Sequence, residues 1–256
     1  PMAGPSLVDR QIGRAEDAVR TAPDDIPARM SLAGLYLTAE RWDEASDQFG
    51  QILSLEPDHK MALLGRGTAL YLAGDLAGAE PMYQQLVDTM AQAEFQMVDP
   101  SVQEAHYYLG LIAGQTGRPD RAIAEYQQAL TMEPTDADAS YQLGMTYLTQ
   151  GRPGDAIEPL RASTLFVPLE WTDPYVGLQE AYTRLDMTRD ATWAAGMIAI
   201  TKGEYAEGRD ILLTVADEDA SIDILTGLGY ATESMGDSEA ALGWWKKALA
   251  RDPDSF

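Results

Sequence analysis

Along one face of the segment from Ser6 to Thr21 lie Val8, Ile12, Ala15, Ala18 and Val19, the three- and four-residue spacing of a helix with one buried side, and Pro23 ends it. The same spacing recurs further along, in segments beginning near Ile26, Gln103 and Ile222. Those segments close on Glu56-Pro57-Asp58, Glu133-Pro134-Thr135 and Asp252-Pro253-Asp254. Each reads Leu-Gly or Leu-Ala, then Ala, then an aromatic. A pattern that returns at fixed spacing decides architecture before local propensity does, and here it predicts an all-helical repeat array.

Unit by unit, the first repeat has Leu32-Ala33, Tyr36, Ala45, Phe49 and Pro57, and the second has Gly67, Ala79 and Tyr83. Leu109-Gly110, Gly117, Ala122, Tyr126, Ala129 and Pro134 mark the third. Leu143-Gly144, Tyr147, Gly151, Ala156, Leu160 and Pro168 mark the fourth, and Leu228-Gly229, Gly236, Ala241, Trp245, Ala248 and Pro253 the last. This series resembles the tetratricopeptide repeat family, a 34-residue helix-turn-helix pattern, over nearly the whole chain. The resemblance implies an all-α, right-handed superhelical solenoid of antiparallel helix pairs. Small residues on both helices let the backbones approach, and the bulky residue four after each Ala fills the next gap. One pair cannot bury its own face, so stacked neighbours share stability. The expected organisation is a single domain over 1–256: a capping helix at 6–22, repeats near 26–59, 60–93, 103–136, 137–170 and 222–255, and an irregular segment at 172–217.

Two departures stand out. From Lys60 to Gln103 is 43 residues, and the extra segment from Val87 continues the second helix to about 99, with Leu86, Met90, Ala93 and Met97 on one face before Pro100. Met90 and Met97 either cover a neighbouring helix or offer an adaptable methionine contact to a partner. Between Trp171 and Ser221, 50 residues leave room for three helices, expected over Pro174 to Leu185, Asp190 to Thr201 and Glu204 to Val215. The middle one fits the second-helix pattern of the unit before it and the first-helix pattern of the unit after it. A change of superhelix direction is expected there, as a rigid buried helix around Trp193 or as a hinge. At the last helix, Trp244 and Trp245 make an apolar surface that is left open, met by a second molecule, or truncated.

Charge narrows the partner. With 41 acidic against 18 basic residues the formal charge is -23, which opposes phosphate backbones and anionic lipid and favours a basic or apolar polypeptide. No cysteine is present, so there is no disulfide framework or thiolate metal site. No run approaches the roughly 18 apolar residues of a membrane span. The opening Pro1-Met2-Ala3-Gly4-Pro5 has no signal character and reads as a cloning remnant, with any upstream anchor cut away. The compartment is therefore open between cytoplasm and, with such an anchor, an extracytoplasmic space. The Ala- and Arg-rich, Lys-poor composition suggests a GC-rich bacterial gene.

Catalytic material is scarce. His59 falls in a turn and His106 on a first helix, at no metal-ligand spacing, and no Gly-x-Ser-x-Gly elbow exists. Gly65-Arg66-Gly67 lacks a third glycine, where Leu70 stands, and lies inside a helix. Asp217-Glu218-Asp219 lacks the alternating ligands of a calcium loop. The expectation is a chain that is not an enzyme and needs no cofactor or metal.

The family resemblance further implies that the second, fifth, sixth, ninth, twelfth and thirteenth positions of each repeat face a concave groove. Those slots hold Met30, Gly34 and Leu37; Met61, Leu64, Thr68 and Tyr71; Tyr107, Tyr108 and Leu111; then Tyr141, Gln142, Met145 and Leu148. Later slots, among them Asp173, Glu180, Arg184 and Asp223, are more polar. Some family members hold acidic chaperone tails in a clamp of Lys, Arg and Asn. Here there is no Asn, and the early slots have neither Lys nor Arg, so that ligand class is excluded. An apolar groove rimmed by acid suits an amphipathic or apolar segment with basic flanks. The chain reads as an adaptor or assembly factor. The alternatives are a self-associating scaffold joined through the face at Trp244 and, more remotely, the accessory part of a larger enzyme.

Overall fold

Side-chain caps set where the helices begin. Asp25, Asp75, Asp99, Asp136 and Ser221 each accept a hydrogen bond from a backbone N–H in the first turn of the next helix, supplying an acceptor to a donor the helix leaves free. Ser6 and Asp9 close a reciprocal capping box at the first helix. His59, expected in a turn, caps its helix through Nδ1, which accepts from the Ala62 N–H at 3.2 Å.

The computed structural model describes residues 6–91, 99–165 and 171–251. Among them are fourteen helices and no strand: α1 (Leu7–Thr21), α2 (Ile26–Thr38), α3 (Trp42–Leu55), α4 (Lys60–Leu72), α5 (Leu76–Met90), α6 (Pro100–Gln115), α7 (Pro119–Met132), α8 (Ala137–Thr149), α9 (Pro153–Leu165), α10 (Asp173–Arg184), α11 (Thr188–Thr201), α12 (Tyr205–Leu213), α13 (Ile222–Ser234) and α14 (Ser238–Arg251). The chain forms two compact units, Pro1–Glu133 and Pro134–Phe256. Residues 92–98, on which the continued helix and Met97 were expected, lie outside the described residues, as do Pro168 and Pro253.

In the first unit α1 packs on α2, then α2/α3, α4/α5 and α6/α7 form pairs, with α3 on α4 and α5 on α6 joining them. The pairing chemistry is a small residue facing a large one sixteen positions later. A methyl group on Gly67 would stand 2.8 Å from the Tyr83 ring, and one on Gly110 would stand 2.5 Å from Tyr126. Both tyrosines are fully or almost fully buried. In the second unit the same fit joins Gly144 to Leu160 and Gly229 to Trp245.

A polar network links α5, α6 and α7. Arg118 grips Glu80 with both terminal guanidinium nitrogens at 2.8 Å, Arg121 adds another bond to the same carboxylate, and His106 Nδ1 meets Glu125 Oε2 at 2.8 Å. The Arg118 guanidinium in particular holds the Glu80 carboxyl below the ordinary carboxylate range. A depressed carboxyl adds stability above its unfolded pKa and loses it as pH falls through the folded one. Glu80→Gln is therefore expected to lower the urea midpoint at neutral pH, and the gap from the parent to close in acid. A constant gap would mean that the network's charge contributes nothing.

Between α9 and α13 the alternation changes phase at α11. Within each regular pair, the turn carries one residue in the left-handed region and a hydrogen bond back to the carbonyl five residues earlier, as at Gly236 with Asp237 N–H to Thr232 O. Both turns flanking α11 are of this kind: Asp186 with Met187 N–H to Tyr182 O, and Gly203 with Glu204 N–H to Ala199 O. Helix α11 packs on α10, on α12 and also on α13. Towards α10 it presents Trp193, edge-on to Tyr175 at 5.8 Å and to Tyr182 at 6.5 Å. Towards α12 it presents Gly196, where a methyl group would meet Leu212 at 2.6 Å. One helix thus serves as second member of one pair and first member of the next.

Candidate functional site

The first helices of the pairs carry the candidate surface in each unit. In the first unit α4 and α6 lie side by side. Tyr108 on α6 stacks on Tyr83 with ring centroids 5.1 Å apart and planes 4° from parallel, and meets Tyr71 of α4 edge-on at 5.1 Å. Tyr107 is edge-on to Tyr108 at 5.7 Å, and Gln115 Nε2 donates to the Tyr71 hydroxyl at 2.7 Å. Tyr71, Tyr107 and Tyr108 are half-buried, so each keeps some of its surface on the outside. Burial pushes the Tyr108 hydroxyl up, with the nearby Glu104 carboxylate adding to it.

Not every slot reaches the surface. Leu64 and Leu148 are buried, the former within the apolar core around Tyr83 and Leu109. Met30 and Leu37 are half-buried against the core around Leu32 and Phe49, Leu111 is half-buried on α6, and Met61 is 46% exposed. Met90 packs partly buried against the Tyr83 core. In the second unit Tyr141 lies 5.1 Å from Trp171, and burial raises its hydroxyl, as does Asp173. Met145 leans on Gly177 of α10, where a methyl group would stand 3.1 Å from its sulfur. Trp244 is half-buried beneath Lys247 Nζ, 4.1 Å from its ring centre, and lines a cleft of about 580 Å³ with Asp217, Glu218 and Arg251.

Sequence reasoning missed one residue of this surface. Glu104 occupies the second slot of the third repeat, as Met61 does in the second, and is half-buried on α6. Burial pushes its carboxyl up. The slot rule that selected Met61 covers it, and only its charge set it apart from the apolar series. Among the described residues no group of three or more His, Asp or Glu side chains is set to hold a metal ion, and no helix is long and apolar enough to cross a membrane.

Helix pairs stacked through small-to-large contacts, with aromatic side chains on the first helices, define a helical-repeat scaffold. The sequence pattern of the tetratricopeptide repeat matches residues 30–94, 89–130 and 107–164, just over half of the chain when combined, and the chain belongs to that family. Its fold is a scaffold for protein–protein interaction, and its members, typically non-catalytic, bind other polypeptides. The general transcriptional corepressor ssn6 of Schizosaccharomyces pombe is 25% identical over 126 residues, 49% of this chain but 11% of that protein. The chain therefore matches only a small part of that relative. Among solved structures, the C-terminal part of a repeat-containing protein from Cytophaga hutchinsonii superposes with a TM-score of 0.62 at 17% identity, covering 97% of this chain and 92% of that one. PilW, a type IV pilus biogenesis factor, gives 0.53 at 18%, covering 90% and 94%. MamA gives 0.54 at 16%, covering 63% of this chain and 95% of that one. At these identities the likeness is one of fold.

Proposed function

We propose that the chain is an adaptor or assembly factor whose first-helix faces hold an apolar or amphipathic segment of another polypeptide, flanked by basic residues. The observation that carries this reading is the tyrosine cluster on α4 and α6, half-exposed on helices that also present Met61 to solvent. Rigid aromatic rings and methionine are the side chains that concentrate binding energy at protein interfaces. The -23 charge supports basic flanks. On the first unit the contact set is Met30, Leu37, Met61, Tyr71, Tyr107, Tyr108 and Leu111; on the second unit, taken by itself, it is Tyr141 and Met145.

Met61→Asp tests this without touching the core, since Met61 stands among the exposed side chains. Against an array of labelled peptides with leucine or methionine anchors and lysine or arginine flanks, the parent is expected to select a subset, and Met61→Asp to bind that subset about tenfold more weakly, roughly the loss of one buried apolar anchor. Equal binding by both proteins would remove α4 from the site.

Self-association is a second reading, favoured by one observation. On α14, Leu242 and Leu249 are 51% and 46% exposed on the helix that carries Trp244. A mass that rises with concentration and falls to one chain in Leu242→Glu would support it.

A further inference from the structure

Among the described residues of the first unit five carboxylates are half-buried: Glu44, Glu80, Asp99, Glu104 and Glu125. Glu44 holds Arg41, Glu80 holds Arg118 and Arg121, Asp99 holds Lys60 at 2.7 Å, and Glu125 holds His106 and Arg121. Glu104 makes no ion pair or hydrogen bond among the described residues. A carboxylate withdrawn from water without a partner costs free energy, and folds ordinarily avoid it. Glu104 lies one helical turn before Tyr108, on the same face of α6, and its charge reaches both Tyr83 and Tyr108. A half-buried anion beside half-exposed aromatic rings is the complement of a flat, weakly hydrated cation, which pairs with the carboxylate by two hydrogen bonds while lying against a ring.

We infer that Glu104, with Tyr71, Tyr107 and Tyr108, forms a subsite for one arginine side chain of the bound polypeptide. This rests on the groove reading and adds the identity of one anchor residue. An ammonium would satisfy the charge but not the planar stacking, so arginine is preferred to lysine. The apolar slots grip the segment, and Glu104 sets its register by accepting one guanidinium.

The test titrates the whole chain, carrying ¹³C-labelled tyrosine, with N-acetyl-arginine amide, and follows the ring signals by NMR. The lysine and citrulline analogues are run in parallel, citrulline having nearly the same shape without the charge. Saturable shifts of the Tyr71, Tyr107 and Tyr108 signals are expected for the arginine derivative, with at least a tenfold weaker response to citrulline and an intermediate one to lysine. Glu104→Gln is expected to remove the discrimination while keeping the circular dichroism and urea midpoint of a folded chain. Equal response to arginine and citrulline in the parent overturns the inference, as does discrimination that survives in Glu104→Gln. Either result leaves the groove reading to the Met61→Asp experiment, in which apolar peptides are selected or not regardless of Glu104.

Discussion

Tyr83→Ala is expected to destabilise the first unit by about 3–5 kcal/mol, the range for removing a large buried aromatic. The side chain has no exposure, fills the space left by the missing side chain of Gly67 and stacks on Tyr108. Truncation would open a cavity between α4 and α5 that the neighbouring helices, held by their own contacts, close only in part. Tyr83→Phe separates volume from polarity. The hydroxyl bonds Thr68 at 3.2 Å, and its loss is expected to cost about 1 kcal/mol, the net contribution of one neutral hydrogen bond. Chemical denaturation of the two variants checks both figures, and similar losses for Ala and Phe would mean that the ring is not the filler it is taken to be. Because Tyr108 rests on Tyr83, the Ala variant is also expected to loosen the tyrosine cluster and weaken peptide binding.

Gly208→Ala gives the second large effect, with a sign opposite to helix propensity. In an unobstructed helix, Gly to Ala stabilises by about 0.5–1 kcal/mol. At Gly208 of α12 the added methyl would meet Ile200 Cγ1 at 2.6 Å, the Gly196 carbonyl oxygen at 2.9 Å and the Ile200 backbone nitrogen at 3.2 Å. Two of those three atoms are backbone and cannot turn aside, so α11 and α12 must separate. A net loss of about 1–3 kcal/mol is expected, as for overpacking elsewhere. Gly34→Ala in α2 is the control, because nothing lies within 4 Å of its added methyl. Thermal denaturation should move the two variants in opposite directions. A stabilised Gly208→Ala would show that α11 does not serve as the first helix of a pair with α12.

The repeat itself was legible because its determinants are close in sequence. Gly67 and Tyr83, Gly110 and Tyr126, Gly144 and Leu160, and Gly229 and Trp245 are each sixteen residues apart, and each couple both closes a helix pair and marks the phase of the pattern. Helix existence comes equally from local causes, the Asp and Ser caps and the left-handed turn residues. The acidic charge, a sum over residues, needs no structure at all.

The features that the sequence left undecided depend on partners brought together across repeats. Leu64 and Leu148 sit in slots that look the same as those of Met61 and Met145, yet they are buried, because the depth of a slot is set by the helices around it. Glu80 is neutralised by Arg118, 38 residues onward, whereas Glu104, as acidic on paper, makes no ion pair among the described residues and is shifted by burial alone. The amino-acid sequence determined the helices, their pairing and the sign of the surface. Only the tertiary structure decided which tyrosines stay partly uncovered and which carboxylate is left for a ligand, since burial and ion pairing are properties of neighbours in space.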